Sequence, residues 1–434
     1  MWDSISEASI INGRAALMDG WGGRPGIIIT RGRGALVWDD SGKEYIDCTA
    51  QAYSLNVGAS HPRVLEAISK QCNRISHVQV AYDSIPLLLL SEKLASIAPG
   101  NLKRVSYCLE GAVACEGALK LAAKNRPKGK NFISLWDGYH GRTILSMSVS
   151  WPHTNLSFVN QLSNVVRIPA AYCYRCPFNL SYPSCNIYCA EFAEETMKRA
   201  VDGPPIALIM EPIQGNGGIV EFPKEFYRKI RDVCTRQNVM LIFDEIQTAF
   251  GRIGEKMFAA DVYDVVPDII AFGKSVAGGF PLAGILASDD VIPFDPGDHA
   301  FTFGHFTASM AAALATIAVI EEEGLLQRCT EVGDYILDAL RDMQKKHELI
   351  GDVRGRGLMI AAELVRDRET KEPAVEETTQ ILSRGLEEGV IFGGGKYGGL
   401  GNVIKIKPPI VISDSEIETV LKVFEKCLVE AAKR

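Results

Sequence analysis

An aspartate and a lysine, thirty residues apart, carry the clearest chemical signal in the sequence. Asp244 ends the apolar run VMLIFD, and Lys274 follows a second apolar run, DIIAFG. Short runs rich in Ile, Val and Phe, bounded by polar residues or Gly, are typical of strands buried in a parallel sheet. Both side chains are therefore predicted at the carboxyl ends of strands, where open α/β sheets bind ligands.

Such a pair is suited to the chemistry of pyridoxal 5'-phosphate (PLP). A lysine amine forms a Schiff base with an aldehyde cofactor. A carboxylate keeps a pyridine nitrogen protonated, so that the ring withdraws electrons from a carbanion. Taken alone, the pair also has a simpler interpretation, in which Asp244 caps the next helix and Lys274 is a solvated surface residue. The surrounding motifs favour the PLP interpretation.

These motifs resemble those of the class III (ornithine/4-aminobutyrate type) PLP-dependent aminotransferases. DEIQTAFGR precedes FGKSVAGGFPL, and the resemblance continues in the family's order through GYHGRT, MEPIQGNGG, TFG, GDVRGRGL and a final PP. It implies an α/β fold of PLP fold type I, with a mainly parallel seven-stranded sheet flanked by helices and a smaller α+β domain. It places residues 1–60 with the small domain, 61–310 in the large PLP-binding domain and 311–434 in the small C-terminal domain.

The resemblance also implies a set of site residues. Lys274 would hold the cofactor as an internal aldimine, and Asp244 would contact the pyridine nitrogen. The implied cofactor-binding residues are Gly111, Ala112, Tyr139, His140, Glu211, Asp244, Gln247, Lys274 and Thr302. Tyr53 and Lys405 are the implied substrate-binding residues. In resembling enzymes the threonine at position 302 reaches the cofactor phosphate of the neighbouring subunit, so a homodimer or a dimer of dimers with shared active sites is expected.

Two positions depart from the pattern of the family. Glu110-Gly111-Ala112 lacks the hydroxyl groups of the Ser-Gly-Ser or Ser-Gly-Thr of many relatives, although backbone N–H groups at a strand-to-helix turn still bind phosphate. Glu110 must then point away. Lys405 replaces the usual arginine, and lysine offers a point charge where arginine offers a bidentate fork. Lys405 could bind a carboxylate loosely, pair with Glu211, indicate a non-standard amine donor, or face solvent.

The predicted reaction is transfer of an amino group from an amino acid or amine to a 2-oxo acid. Three alternatives stay open: an amino-acid racemase or epimerase, a decarboxylating transaminase similar to dialkylglycine decarboxylase, and a PLP-binding protein without turnover. Racemisation needs a second acid/base group, and racemases that resemble this family have Asp where this chain has Asn216. Dialkylglycine decarboxylases are similar at RPGIIITRGRGALVWDDSGKEYID and GGLGNVIKIKPP, but their pocket Gln aligns with Ala52.

Length and composition set the broad class. A chain of 434 residues suggests two domains, and a net charge of −7 gives no electrostatic footprint for nucleic acid. No apolar run reaches the eighteen residues of a membrane span. The sequence MWDSISEASIINGR has neither a basic flank nor an apolar core, so a signal peptide is not expected. We therefore expect a cytoplasmic location.

Four cysteines form a second candidate site. Cys173, Cys176, Cys185 and Cys189 have the spacing C-x2-C-x8-C-x3-C, which suits a tetrahedral zinc site, and a loop of free thiols is the alternative. No metal is assigned, because catalysis in this family needs none. Three local features are also predicted: a helix over residues 1–24, an edge strand at LAGILAS, and a capping box of Ser413 with Glu416.

Overall fold

The computed structural model describes residues 6–18, 26–151, 164–199, 201–395 and 400–433. Helix α1 (Glu7–Ala16) lies inside the predicted N-terminal helix, and residues 1–5 and 19–24 of that prediction lie outside the described residues. In the described ranges no helix has the length and apolar character needed to cross a membrane.

The centre of the fold is a seven-stranded sheet. Its strands in spatial order are β4 (Arg104–Cys108), β12 (Ala283–Ala287), β11 (Ile269–Phe272), β10 (Met240–Asp244), β7 (Pro205–Met210), β5 (Asn131–Leu135) and β6 (Val165–Ile168). Every residue of β10, β11, β7 and β5 is buried, as expected for strands covered by helices on both faces. The mainly parallel seven-stranded sheet predicted from the family resemblance is confirmed.

Strand β12 corrects one prediction. LAGILAS was expected at an edge, but β12 lies between β11 and β4 and is antiparallel to both. The edges of the sheet are β4 and β6. A uniformly buried strand has the same hydrophobic pattern whether it pairs in parallel or antiparallel. The sequence therefore did not reveal the inserted antiparallel strand.

Two smaller sheets lie beside the central one, and the first of them combines segments from both ends of the chain. Strands β1 (Ile29–Arg33), β2 (Leu36–Asp39) and β3 (Glu44–Asp47) form an N-terminal meander, and β3 pairs with β16 (Val390–Ile391). The other sheet has β13 (Ile350–Arg356), β14 (Met359–Asp367), β18 (Val403–Ile406) and β17 (Gly393–Gly395), with β15 (Glu372–Pro373) beside β14. A short hairpin joins β8 (Ile213–Gln214) to β9 (Val220–Glu221).

Helices cover these sheets. They are α2 (Ala50–Tyr53), α3 (Pro62–Arg74), α4 (Ile85–Ile97), α5 (Gly111–Asn125), α6 (Ile144–Val149), α7 (Tyr188–Arg199), α8 (Lys224–Arg236), α9 (Ala259–Val262), α10 (Thr307–Glu322), α11 (Leu325–Lys346), α12 (Val375–Glu387) and α13 (Asp414–Ala431). A short 3-10 helix covers Lys274–Ala277. The capping box at the start of α13 is confirmed, because Ser413 and Glu416 each accept from the other's backbone N–H.

Candidate active site

The carboxyl ends of the parallel strands open into one cavity of about 450 Å³. Strands β5, β7, β10 and β11 all point to it, because parallel strands end at the same edge of a sheet. The predicted residues that line it are Gly111, Ala112, Tyr139, His140, Glu211, Asp244, Gln247 and Lys274. The structure thus brings together eight positions that are spread over more than 160 residues of sequence.

Asp244 is the most fully satisfied polar group of the cavity. Its Oδ2 lies 2.8 Å from His140 Nδ1 and 3.3 Å from Cys115 Sγ, and its Oδ1 accepts from the Ile246 backbone N–H at 3.1 Å. The side chain is 4% exposed. Because the imidazole and thiol contact one carboxylate oxygen and the Ile246 N–H the other, these contacts fix Asp244 in position.

His140 and Gln247 each keep one polar atom without a partner. Within the described residues, His140 Nε2 and Gln247 Oε1 are buried and have no hydrogen bond. A buried polar atom left unpaired costs about 1–3 kcal/mol. Both residues line the cavity, so these atoms are available to a polar ligand.

Glu211 follows β7 and is held by the backbone. Its Oε1 accepts from the Tyr139 N–H and its Oε2 from the Gly215 N–H, each at 2.9 Å. Burial raises the pKa of Glu211 to about 7, and the charge of Asp244 adds to this shift. Glu211 therefore exchanges its proton near neutral pH. Its two hydrogen bonds to backbone N–H groups also fix the turn that follows β7.

Lys274 follows β11 and opens the 3-10 helix with a φ of 46°. A positive φ is uncommon for a residue with a side chain, and such strain concentrates at functional sites. Burial lowers the pKa of the Lys274 amine, although Asp244 and Glu211 oppose the shift. A larger neutral fraction makes the amine a better nucleophile and base.

The amino end of α5 forms another wall. Glu110 is its N-cap residue and makes no side-chain capping bond, so the first N–H groups of the helix have no side-chain acceptor there. A Cβ on Gly111 would lie 2.8 Å from Ile246 Cδ1, and one on Gly141 would lie 2.5 Å from Ala112 Cβ. Glycine at these two positions therefore permits the close approach of the helix end to the segments after β10 and β5. Glu110 itself is exposed.

Residues Ala50 to Tyr53 form a left-handed turn, with φ between 44° and 69°. Left-handed geometry costs about 1–2 kcal/mol per L-residue, so other contacts must hold it. Asp47 does this: its carboxylate accepts from the Thr49 backbone at 2.8 Å and from the Gln51 backbone at 3.0 Å. The turn buries the Tyr53 ring beside the cavity, with a hydroxyl that has no partner among the described residues.

Two further lysines, Lys405 and Lys407, lie close enough to Lys274 for their charges to interact with it. Lys405 is 3% exposed, and its Nζ donates to the Gly215 carbonyl at 2.9 Å. The solvent-facing interpretation of Lys405 is therefore wrong. Burial lowers the pKa of Lys405 to about 8. Lys407 was not predicted, and its Nζ lies 3.7 Å from the centre of the Tyr53 ring, while Lys274 Nζ lies 5.5 Å from the same centre.

Arg252 joins three distant segments beneath this region. Fully buried, it donates to Asn56 Oδ1, to the Leu358 carbonyl at 3.1 Å and to the Pro408 carbonyl at 2.6 Å. Arg252, in the segment after β10, thus connects to Asn56 near the N-terminus, to Leu358 between β13 and β14, and to Pro408 after β18.

Four residues singled out in the sequence are not among those that line the cavity: the predicted substrate-binding Tyr53 and Lys405, and Thr302 and Asn216. Thr302 is exposed in a turn, and its predicted contact with a neighbouring subunit stays a prediction. Asn216 is partly buried in the turn after β8.

The second candidate site of the sequence consists of four cysteines. Cys173, Cys176, Cys185 and Cys189 line one pocket, and all four are free thiols. Among the described residues, only Cys115, His140 and Asp244 bring three possible ligand atoms within 4.8 Å of one another. That group reflects the hydrogen bonds to Asp244, and for the four cysteines both a zinc site and free thiols stay open.

Comparison with known proteins gives the family. The model of the aminotransferase class-III family matches residues 18–428. The chain is 35% identical over 412 residues to a leucine/methionine racemase of Thermococcus litoralis, covering 93% of this chain and 91% of the relative. It is 35% identical to an acetylornithine aminotransferase of Methanosarcina acetivorans, covering 93% and 92%.

A solved (S)-enantioselective omega-transaminase from Thermomicrobium roseum superposes with a TM-score of 0.91 at 27% identity, covering 99% of both chains. Together with the match over residues 18–428, this agreement extends the likeness from the sequence to the whole fold. The chain belongs to the class III aminotransferases, PLP-dependent enzymes of fold type I.

Proposed function

We propose that this protein transfers an amino group from an amino acid or amine to a 2-oxo acid, with Lys274 and Asp244 as its catalytic residues. The observation that carries the proposal is the placement of an amine of lowered pKa and a fixed, hydrogen-bonded carboxylate in one cavity. The cofactor is pyridoxal 5'-phosphate, and the residues present fit it, since the unpaired atoms of His140 and Gln247 border the same cavity.

Each residue has a distinct task in the proposal. When bound, the cofactor supplies an electron sink for the carbanion formed at the α carbon of the substrate. Asp244, fixed by His140 and Cys115, holds a negative charge toward the cavity and would keep a proton on a pyridine nitrogen. Lys274 acts as the general base that takes the α proton, and its lowered pKa supports that role.

Three further groups complete the proposed cofactor site. The free N–H groups of Gly111 and Ala112 at the start of α5 would donate hydrogen bonds to a phosphate, because a helix amino end attracts anions. The Tyr139 ring would pack against the pyridine face, which contributes about 1 kcal/mol beyond burial. Glu211 holds the Tyr139 backbone in place.

The test of the reaction is amino transfer followed at the α carbon. The loaded enzyme is expected to convert amine donors with pyruvate or 2-oxoglutarate into the exchanged pair, and to exchange the α proton for deuterium with retained configuration. Chiral chromatography measures the recovered amino acid. Loss of optical purity without keto acid would favour racemisation, the activity in the name of the Thermococcus litoralis relative.

Asn216 provides a matched check on that alternative. An amide has no useful pKa, so Asn216 cannot serve as an acid on the second face of the α carbon. If the missing carboxylate limits racemisation, Asn216→Asp will raise its rate above that of the wild type. No rise would mean that the position of the side chain matters more than its type.

A homodimer in the cytoplasm is part of the proposal. Several large apolar side chains are exposed in the single chain and suit an interface: Tyr82, Ile85, Leu88, Leu89 and Phe303. Thr302 adjoins Phe303 and would reach the cofactor phosphate of the second subunit. Thr302→Ala is expected to weaken PLP retention about tenfold, as one hydrogen bond to a charged group contributes about 1.5–3 kcal/mol. A monomer that retains PLP fully would contradict both parts.

A further inference from the structure

The segment between β6 and α7 is long and irregular. Residues 169–187 contain neither helix nor strand, and the structure describes all of them. A structureless segment of this length is uncommon in a compact domain and is usually either functional or held by something other than regular hydrogen bonding. We call residues 169–189, which end in the first turn of α7, the cysteine loop, because they contain Cys173, Cys176, Cys185 and Cys189.

One side of the cysteine loop docks on the C-terminal sheet. The Tyr172 hydroxyl donates to Glu363 of β14, and Arg175 Nε donates to the same carboxylate at 2.6 Å. Arg175 Nη2 also donates to the Lys371 carbonyl at 2.8 Å. Lys371 Nζ in turn donates to the Tyr174 carbonyl at 2.6 Å. The cysteine loop therefore connects the large sheet, which it leaves after β6, to the sheet that contains β14.

The four cysteines of the loop surround one small cavity. Its volume is about 20 Å³, which is close to the space that a single water molecule or ion needs and too small for an organic ligand. Cys173 lies close enough to Cys176 and Cys185 for their charges to interact, and Cys189 has the same relation to Cys173 and Cys185. The sequence arranges these residues as one C-x2-C pair and one C-x3-C pair, which is a spacing typical of zinc ligands.

The thiols are the strongest metal-ligating groups of this cavity. Among the described residues that line it there is no lysine, arginine, histidine, aspartate or glutamate. The hydroxyls of Tyr172 and Tyr182 donate to carboxylates elsewhere. The remaining wall is apolar and includes Ala170, Pro177, Phe178, Leu180, Ile187 and Pro223. A set of soft sulfur ligands in an apolar surrounding selects zinc over magnesium or calcium.

The side chains need only local rotation to reach a metal geometry. Zinc held by sulfur atoms at about 2.3 Å requires those atoms to lie about 3.8 Å apart. In the part of the chain that the structure describes, no three of the four sulfur atoms lie within 4.8 Å of one another. None of the four cysteines is fully buried, so each can change rotamer without disturbing the core. Cys189 also lies in the first turn of α7, where a thiolate is favoured.

We propose that Cys173, Cys176, Cys185 and Cys189 bind one zinc ion as four thiolates, each of which loses its proton to solvent. The ion would hold the cysteine loop in place between the two sheets. The site is structural rather than catalytic, because four sulfur ligands complete the tetrahedron and leave no position for water or substrate. The inference does not depend on the proposed amino transfer.

The first test uses the wild-type, PLP-loaded protein. Protein purified without chelators is expected to contain about one zinc ion per chain by mass spectrometry of its metals. Alkylation with iodoacetamide before and after chelator treatment, followed by peptide mapping, locates the ion. The four loop thiols should be protected only while zinc is bound, because the free thiolate is the reactive form. Cys72, an exposed cysteine of α3, should be alkylated equally in both samples.

The second test uses cobalt(II) and three variants. Cobalt(II) added to chelator-treated enzyme should give the visible bands of tetrahedral thiolate coordination, at wavelengths beyond the absorbance of PLP, and zinc should abolish them. Cys185→Ser is expected to lower the zinc content to about a tenth of that of the wild type or less. Chelator should lower the Tm of the wild type and leave that of Cys185→Ser unchanged.

Two control variants separate the proposed site from other thiols. Cys72→Ser removes an exposed cysteine outside the loop and should keep the zinc and the cobalt bands. Cys115→Ala removes one member of the group formed with His140 and Asp244 in the active site. The zinc content of that variant should equal that of the wild type.

Three results would overturn the inference: protein that holds no zinc after zinc addition and gel filtration while its four loop thiols stay reactive, zinc that remains in Cys185→Ser, or zinc that is lost in Cys115→Ala. Iron in place of zinc, or disulfides among the four cysteines, would overturn the choice of zinc. If Cys185→Ser does not fold, the alkylation map of the wild type decides. Zinc bound by an enzyme that transfers no amino group would remove the proposed function and keep the site.

Discussion

The two ends of the active site treat charge in opposite ways. At the Asp244 end, the carboxylate receives three donors, from His140, Cys115 and the Ile246 backbone. At the lysine end, Lys405 donates to the neutral Gly215 carbonyl and Lys407 lies over the Tyr53 ring. Among the described residues neither forms an ion pair, and Glu211 and Asp47 act on them from a greater distance. The difference is one of support: fixed donors hold the Asp244 carboxylate, whereas burial and neighbouring positive charges both lower the pKa of the two lysines.

Lys274 lies between the two ends, and its removal is expected to have the largest effect. Lys274→Ala should lower kcat by about four powers of ten or more, because one side chain supplies both the covalent attachment and the base. Borohydride reduction followed by peptide mapping of the wild type should fix the cofactor to Lys274. A label on any other lysine would remove the assignment.

Asp244→Asn removes the carboxylate at the cofactor end of the site and leaves the lysine end unchanged. An amide cannot hold a proton on the pyridine nitrogen, so kcat should fall about a thousandfold or more while the fold is kept. Steady-state rates and circular dichroism measure the two parts of the expectation. A folded variant with a rate near that of the wild type would show that another group performs this role.

Lys405→Met tests whether the buried charge of Lys405 lowers the free energy of unfolding. The test uses the pH dependence of stability. The folded-state pKa of Lys405 is lowered to about 8 from 10.5, so between these values the unfolded chain binds more protons. The free energy of unfolding of the wild type should therefore gain up to about 3 kcal/mol as the pH rises from 8 to 10.5, the penalty being fully present below pH 8.

In Lys405→Met this gain should be smaller. The readout is the slope of thermal or denaturant stability with pH in the cofactor-free protein, and Lys70→Met, a change at an exposed lysine paired with Glu66, is the control. Equal slopes in the wild type and in Lys405→Met would mean that Lys405 does not carry the buried charge.

Cys115→Ala should have the smallest effect of the series. It removes one weak S–H donor from Asp244 and leaves His140 and the Ile246 N–H in place. We expect a rate within about fivefold of the wild type, since a neutral hydrogen bond contributes about 1 kcal/mol. A loss as large as that of Asp244→Asn would show that the thiol has a role beyond support of the carboxylate.

The sequence predicted the cofactor end better than the substrate end for a physical reason. Asp244, Glu211 and Lys274 each follow a strand of a parallel sheet, and the edge at which parallel strands end is common to all of them. Their convergence is thus readable from local patterns. Cys115 was missed because it sits mid-helix, and only the packing of α5 on the sheet brings it to Asp244.

Lys407 was missed for a related reason. Its partner Tyr53 lies more than 350 residues earlier in the chain, and that contact depends on a left-handed turn which residue propensities do not indicate. A signal was present: Lys407 stands two residues after Lys405, which is the period of a strand face, and a triple glycine precedes them in the sequence. The direction of β12 had no comparable signal.

The clamp at Arg252 has a consequence for how the enzyme matures. It fastens Asn56 to Leu358 and Pro408, so the substrate end is complete only after the first and last portions of the chain have docked. Contacts across such long sequence separations form late, since loop closure must come first. The nascent chain cannot form this end until its synthesis has passed Pro408. Cofactor that binds the completed fold then stabilises the folded state relative to the unfolded state by mass action.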